Sequence, residues 1–368
     1  MDYASRIAAL KPYVPGEQPS DKKYIKLNAN ENPYPPPPCV AAAVSALVQT
    51  AAKKCALYPD PDSNALRQAI AAMLRRQNPD CNITPEMIFC GNGSDEVLSF
   101  VFFSFFDSSV PLVLPEFTYS FYPVYSHFYG IPLARIPLTQ DFSINTDLLC
   151  EAARKTASPM ILANPNAPTG RALTRTQIEK ILQNAPQNKA VVIDEAYIDF
   201  ADSGTTCLPL LSQYENLVIV RTFSKSFAFA GMRLGFAVAH PSLIAALTTA
   251  KNSFNHFPVD VLTQTAGVAA CSPEAAAYYA QCTQKIIDER TDFSAFLDKH
   301  DFFVLPSQTN FVFARHQSAN GKMLYTQLKE QGILVRRFDD AQIADFLRIT
   351  IGTPAEMDSL KNGIAAFV

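Results

Sequence analysis

Lys189-Ala-Val-Val-Ile-Asp194-Glu-Ala-Tyr197 is an apolar, β-branched run that ends in an acid. That is the pattern of a parallel strand buried on both faces, its carboxyl end opening into a site. Ligands of open α/β sheets bind at such ends. Two upstream stretches share the pattern. Pro159-Met-Ile-Leu-Ala-Asn164-Pro-Asn-Ala-Pro-Thr-Gly170 is a strand running into a Pro/Gly turn, and Ile88-Phe-Cys-Gly-Asn-Gly93-Ser-Asp-Glu96 is a strand running into a helix start. From about Glu86 strand and helix alternate. Strands are predicted at Met87–Cys90, Pro111–Leu114, Pro132–Ile136, Met160–Ala163, Ala190–Asp194 and Leu217–Val220, and helices at Glu96–Phe106, Tyr119–Phe128, Thr146–Lys155 and Arg175–Asn184. This alternation argues for a mostly parallel sheet covered by helices on both faces.

Downstream of the acid lies Arg221-Thr-Phe-Ser-Lys-Ser-Phe-Ala-Phe-Ala-Gly-Met-Arg233. A lone Ser-Lys pair usually marks an exposed lysine. Here Lys225 stands among hydroxyls (Thr222, Ser224, Ser226), is followed by small and aromatic apolar residues, and has Arg233 eight positions on. A lysine amine condenses with an aldehyde cofactor only if it is neutral part of the time, which needs a partly dry, cation-rich setting. Hydroxyls and an arginine suit a phosphate, and the lysine suits the aldehyde.

The bounds agree with a compact soluble protein of two lobes. A chain of 368 residues, 48% hydrophobic and 18% charged, is long enough for a large core. Its net charge of -3 gives no reason to expect nucleic acid or an anionic membrane. The eight cysteines show no Cys-x-x-Cys and there are no paired histidines at metal spacing, so neither a zinc site nor a disulfide framework is signalled. Reduced, cytoplasmic thiols fit best. Met1–Pro12 has no signal-peptide apolar block, and the most apolar run, Val97–Phe106, is far shorter than the roughly 20 residues of a membrane helix.

Tyr13–Pro38 reads as an extended arm, because its prolines and glycine cannot sustain a helix. Helices follow at Val40–Lys54 and Asn64–Gln77, with the turn Tyr58-Pro-Asp-Pro-Asp62 capping the second. Beyond the sheet, Ser242–Ala250 and Val259–Cys271 are helical. Pro273–Lys299 is one long helix, with Ser272 as its cap and proline at its first position. Phe302–Leu305, Asn310–Ala314, a helix at Gly321–Gln331, Ile333–Arg337 and Phe346–Ile351 then give α+β order without crossovers. The expected division is an arm with part of a small lobe over 1–55, a large lobe over 56–270, and a bridging helix with the small lobe over 271–368.

Together these motifs resemble a known family, the fold-type I aminotransferases that use pyridoxal 5'-phosphate, and within them the histidinol-phosphate aminotransferases. The resemblance runs from Tyr13-Val-Pro-Gly16 and Asn28-Ala-Asn-Glu-Asn-Pro33 to Leu347-Arg-Ile-Thr-Ile-Gly352. It implies a large domain with a mostly parallel seven-stranded sheet between helices, a smaller α+β domain, and Phe236–Ala239 as an antiparallel edge strand. The implied reaction moves an amino group between histidinol phosphate and 2-oxoglutarate, in histidine biosynthesis, in a cytoplasmic homodimer. Related scaffolds transaminate phenylalanine and tyrosine or decarboxylate threonine phosphate, and both remain as alternatives.

Pyridoxal phosphate is an electron sink, deepest when an ionised acid keeps its pyridine nitrogen protonated. The resemblance puts Asp194 in that place, although an aspartate there also suits a helix cap. Tyr197 matches the donor to the ring's phenolic oxygen, and Tyr119 the ring stacked on the pyridine, if it is not simply a core aromatic. For the phosphate, Gly93, Ser94 and Asp95 offer a helix start, Ser224 and Arg233 a hydroxyl and a cation, and Tyr58 a reach into the neighbouring subunit. The family's asparagine before Pro-Thr-Gly is here Ala167; Asn164 or Asn166 could supply the amide from one turn away, or Tyr197 could act alone, and Asn164 is the expected replacement. Arg348 matches the grip on an α-carboxylate and Arg336 the grip on the substrate phosphate, with Tyr13 and Asn30 closing over from the arm. Lys225 is the expected general base and acid.

Overall fold

All four residues of Val191–Asp194 are buried, as a strand with helices on both faces requires. In the computed structural model, which describes residues 7, 10–13 and 15–367, the first strands are β1 (Ile25–Lys26), β2 (Ile88–Asn92), β3 (Leu112–Pro115) and β4 (Leu133–Ile136). They are followed by β5 (Met160–Ala163), β6 (Val191–Asp194), β7 (Leu217–Thr222) and β8 (Leu234–Ala239). The C-terminal strands are β9 (Phe302–Val304), β10 (Phe311–His316), β11 (Ile333–Leu334), β12 (Arg336–Arg337) and β13 (Leu347–Thr350).

A seven-stranded sheet has the order β2-β8-β7-β6-β5-β3-β4. Its strands pair in parallel except for β8, which runs antiparallel to both β2 and β7. Alternate residues feed two cores. Val191, Ile193, Leu217 and Ile219 join one cluster, whereas Val192, Val218, Val220 and Ile161 join the other. The expected antiparallel strand is present but it is not an edge: β8 is interior, and β2 takes the edge beyond it.

The small lobe has a four-stranded sheet, β12-β13-β10-β9, and a separate core that includes Phe293, Phe311, Val312 and Ile349. The long helix Pro273–Asp298 joins the lobes. Its Ala275 and Tyr279 lie in the large-lobe core and its Ile286, Phe293 and Leu297 in the small-lobe core. Ser272 Oγ caps it from 3.1 Å. The arm lies on the small lobe, because β1 pairs in parallel with β11 and Thr350 N–H donates to Leu27 O at 2.9 Å.

Three expected elements differ in detail. Ile333–Arg337 is not one strand: it divides at Val335, with β11 turned to the arm and β12 antiparallel to β13. The helix expected from Tyr119 begins at Tyr122, since Pro123 lacks an N–H and is tolerated only in the first turn; Tyr119 is thereby released to a loop. The first helix runs from Pro38 to Thr50 and gives way to a 3-10 turn at Ala52–Ala56. Among the described residues no helix is long and apolar enough to cross a membrane, and no cluster of His, Cys, Asp and Glu could hold a metal ion.

Candidate active site

The parallel strands β5, β6 and β7 end at Ala163, Asp194 and Thr222, and all three residues line one cavity of about 350 Å³. The small lobe closes it with Arg336 and Arg348, and the arm with Tyr13 and Asn30. Of the residues singled out in the sequence, Ser94, Asp95, Tyr119, Tyr197, Ser224, Lys225 and Arg233 also reach it.

One wall is the start of the helix Gly93–Phe105. Two glycines bring it there. Gly93 has φ of +77°, and a Cβ on it would lie 2.5 Å from the Arg233 guanidinium; a Cβ on Gly235 would lie 2.3 Å from the Ser94 nitrogen. Strand β8 is therefore packed backbone to backbone against the helix start, with the Arg233 side chain against Gly93. The Asp95 carboxylate accepts from Arg233 at 2.7 Å and from the Tyr119 hydroxyl at 3.0 Å. The wall thus presents backbone N–H groups, the positive end of a helix, Ser224 and an arginine, a donor set for a phosphate.

The floor is Asp194. It is 4% exposed, and its carboxylate accepts from the Tyr122 hydroxyl at 2.8 Å and from Ala196 N–H at 3.1 Å. Burial pushes its pKa up from 3.8 to about 6, the two hydrogen bonds opposing that rise. A carboxylate so placed gains from any cation brought against it.

Lys225 stands over the floor on a loop whose aromatic anchors Phe223, Phe227 and Phe229 are buried in the large-lobe core. Its Nζ lies 3.3 Å from Ala29 O and 5.8 Å from the centre of the Tyr197 ring. Asn32 Nδ2 donates to Lys225 O at 2.9 Å and to Ser226 O at 3.1 Å, so the arm holds this loop.

At the opposite end Arg336 and Arg348 are direct cross-strand partners. Like charges so placed repel. Arg348 Nη2 donates to Asn28 O at 3.1 Å, but its Nε is buried without an acceptor among the described residues. Burial lowers the Arg348 pKa. Arg337 turns away to Asp339 at 2.6 Å.

Three expected residues stay outside the cavity lining: Gly93, which backs the wall against Arg233, and Asn164 and Tyr58. Asn164 is fully buried, and both ends of its amide are bound to Leu173: Nδ2 donates to the carbonyl at 3.2 Å, and Oδ1 accepts from the N–H at 2.7 Å. With its hydrogen bonds directed into the turn, it does not replace the missing asparagine at 167. Tyr58 is 83% exposed and stacks on Phe257 at 4.6 Å, away from this chain's own cavity. Conversely, Tyr122 and Asn32 escaped the sequence reading. Asn32 lies within the quoted Asn28–Pro33 motif, whereas Tyr122 had no signal beyond its place in a helix.

The chain matches the family model for aminotransferase class I and II over residues 22–364. It belongs to that family and is an aminotransferase. It is 49% identical over 356 residues to the histidinol-phosphate aminotransferase of Syntrophus aciditrophicus, covering 96% of this chain and 95% of that one. Against histidinol-phosphate aminotransferase 2 of Psychrobacter arcticus the identity is 44% over 371 residues, covering 99% and 95%. The crystal structure of histidinol-phosphate aminotransferase from Sinorhizobium meliloti, in complex with pyridoxal-5'-phosphate, superimposes with a TM-score of 0.87 at 25% identity, over 100% of this chain and 98% of that one.

Proposed function

We propose that the protein uses pyridoxal phosphate to transfer the amino group of histidinol phosphate to 2-oxoglutarate, giving imidazole-acetol phosphate and glutamate in histidine biosynthesis. The observation that carries this reading is the Arg336–Arg348 pair, two half-buried cations facing each other across adjacent strands in the cavity that also holds Lys225 and Asp194. Histidinol phosphate brings a phosphate, and glutamate brings two carboxylates, so both donors offset the same repulsion in turn.

The residues fit the cofactor. Gly93 leaves room for Arg233 where a Cβ would collide with it, and the helix start, Ser224 and Arg233 suit its phosphate. Asp194 suits its ring nitrogen, Tyr197 its phenolic oxygen, Tyr119 its face and Lys225 its aldehyde. When bound, pyridoxal phosphate supplies the electron sink into which the donor's carbon–hydrogen bond electrons are drawn. Asp194 holds a proton at the ring nitrogen, and Tyr122 and Ala196 N–H fix the carboxylate that does so. Lys225 Nζ takes the proton from the amino-bearing carbon of the donor, and returns one to the equivalent carbon when the oxo acid takes up the amino group. Arg336 and Arg348 orient the donor, and Tyr13 shields the cavity mouth from water.

Three further assignments accompany this reading. The active unit is a homodimer in which exposed Tyr58 reaches the neighbouring cofactor phosphate, the enzyme works in the cytoplasm, and residues 1–55, 56–270 and 271–368 form the arm, large and small units. The test is a comparison of donors. Histidinol phosphate should convert the cofactor's aldehyde spectrum to that of the amine form at a rate well above phenylalanine. A preference for phenylalanine, or carbon dioxide release from threonine phosphate without an oxo acid, would overturn the proposal.

A further inference from the structure

Asn30 lies in the arm where the two lobes meet, 1% exposed and with φ of 54°, a conformation that asparagine, aspartate and glycine adopt readily. Its main chain is held from the small-lobe side. The N–H donates to Thr350 Oγ1 at 2.9 Å, and the carbonyl accepts from Asn310 Nδ2 at 3.0 Å. Its side chain crosses to the large lobe. Nδ2 donates to the Tyr197 hydroxyl oxygen at 2.8 Å, while Oδ1 accepts from Thr350 Oγ1 at 3.1 Å.

The direction of that bond follows from Thr350. Its hydroxyl already receives the Asn30 N–H, so the hydroxyl proton is directed to Asn30 Oδ1, and only the amide nitrogen is left to face Tyr197. Tyr197 therefore accepts from Asn30 and keeps its own proton for the cavity. The turn after β5 supplies no such amide. Ala167 lines the cavity without a polar side chain, and Asn164 and Asn166 do not line it; the Asn166 Nδ2 donates instead to Phe117 O and Thr169 Oγ1.

Resting on the pyridoxal phosphate reading above, we propose that Asn30 is the positioning residue for Tyr197, fixing its phenol as a one-way hydrogen-bond donor to the cofactor's phenolic oxygen. Asn30 is thus committed to Tyr197 rather than to substrate. An accepted hydrogen bond strengthens a hydroxyl as a donor, so Asn30 tunes the cofactor through Tyr197. Because Thr350 and Asn310 hold Asn30 in place, that tuning depends on the arm being seated on the small lobe.

The test uses the holoenzyme and two variants, Asn30→Gly and Asn30→Asp, both compatible with the left-handed backbone. The other charged or titratable groups facing Tyr197 are Lys225, Arg348, Tyr119 and Tyr122, and neither variant alters them. The readout is the pH midpoint of the visible cofactor band. In Asn30→Gly it should rise by about half a unit to one unit, because the cofactor's phenolic oxygen loses part of its donor. In Asn30→Asp the new carboxylate accepts the Tyr197 O–H hydrogen bond and so withdraws that donor from the cofactor, and the rise should equal that of Tyr197→Phe. In a Tyr197→Phe background, Asn30→Gly should add nothing further. An unchanged midpoint in both Asn30 variants, even with lowered stability, would reduce Asn30 to a structural role and overturn the proposal, as would a fully additive shift. The reading of the site fails separately: if Lys225→Ala leaves the wild-type cofactor spectrum intact, the cofactor is not held at Lys225 and both proposals fall.

Discussion

The two ends of the cavity lack different things. At the end built by the seven-stranded sheet, hydrogen bonds are complete: Asp95 has Arg233 and Tyr119, and Asp194 has Tyr122 and Ala196 N–H. What Asp194 lacks is a countercharge, and its pKa of about 6 reflects that. At the end built by the four-stranded sheet, Arg348 bonds Asn28 O through Nη2, but its cross-strand partner is another arginine and its Nε has no acceptor among the described residues. One end awaits a cation within a finished hydrogen-bond frame, as suits a resident group. The other awaits an anion that supplies charge and acceptors together, as suits a substrate that comes and goes.

Lys225→Ala joins neither pole and tests the centre between them. Turnover should fall by more than about 10⁴-fold, with the visible cofactor band lost; normal rates would dissolve the comparison altogether. At the acid end, Asp194→Asn should lower kcat by roughly 10³-fold. The same change should alter the apoprotein's response to pH. Between pH 3.8, the ordinary value, and about 6, the folded value, the folded chain binds more protons than the unfolded one. This group's contribution to stability is therefore greatest at low pH and is lost as pH rises through that window, by about 3 kcal/mol. Denaturant unfolding of wild type and Asp194→Asn at either end of the window checks the sign, and equal slopes would show that Asp194 lacks no countercharge.

At the arginine end, Arg348→Met should lower kcat/KM for histidinol phosphate by about 10²-fold, from lost charged hydrogen bonds. It should also raise apoprotein stability by about 1 kcal/mol, since an apolar side chain replaces a half-buried cation facing a like charge. A destabilised variant would mean that this end is already balanced. The smallest effect belongs to Tyr122→Phe, which removes one donor from Asp194. A fall in kcat of about tenfold is expected, with Asp194 titrating higher still in the apoprotein, as a pH-resolved infrared carboxyl band would record.

Much of this arrangement could be read from residue order. Lys225, Asp194, Ser224 and Arg233 sit in or just beyond strands whose apolar runs are short and unambiguous, and strand ends in a parallel sheet gather on one side. The position of β8 was less legible. Its run reads as a strand, but nothing local says whether a later or earlier strand will cover its far side, and β2 does so from 146 residues upstream, Ile88 to Leu234. The orientation of Asn164 is not legible for a related reason: its residue type suits the site, while the direction of its amide depends on Leu173.

Taken alone, the chain's order of residues determined the alternation of strand and helix, the lysine and acid at neighbouring strand ends, and the arginines of the last strands. These follow from periodicity and residue chemistry over a few positions. Only the tertiary structure decided that Arg336 would face Arg348, that Tyr122 would carry Asp194, and that Asn30 would cross 167 residues of chain to reach Tyr197. Such pairings depend on register and side-chain direction between distant segments, which packing of the whole molecule settles and local sequence does not encode.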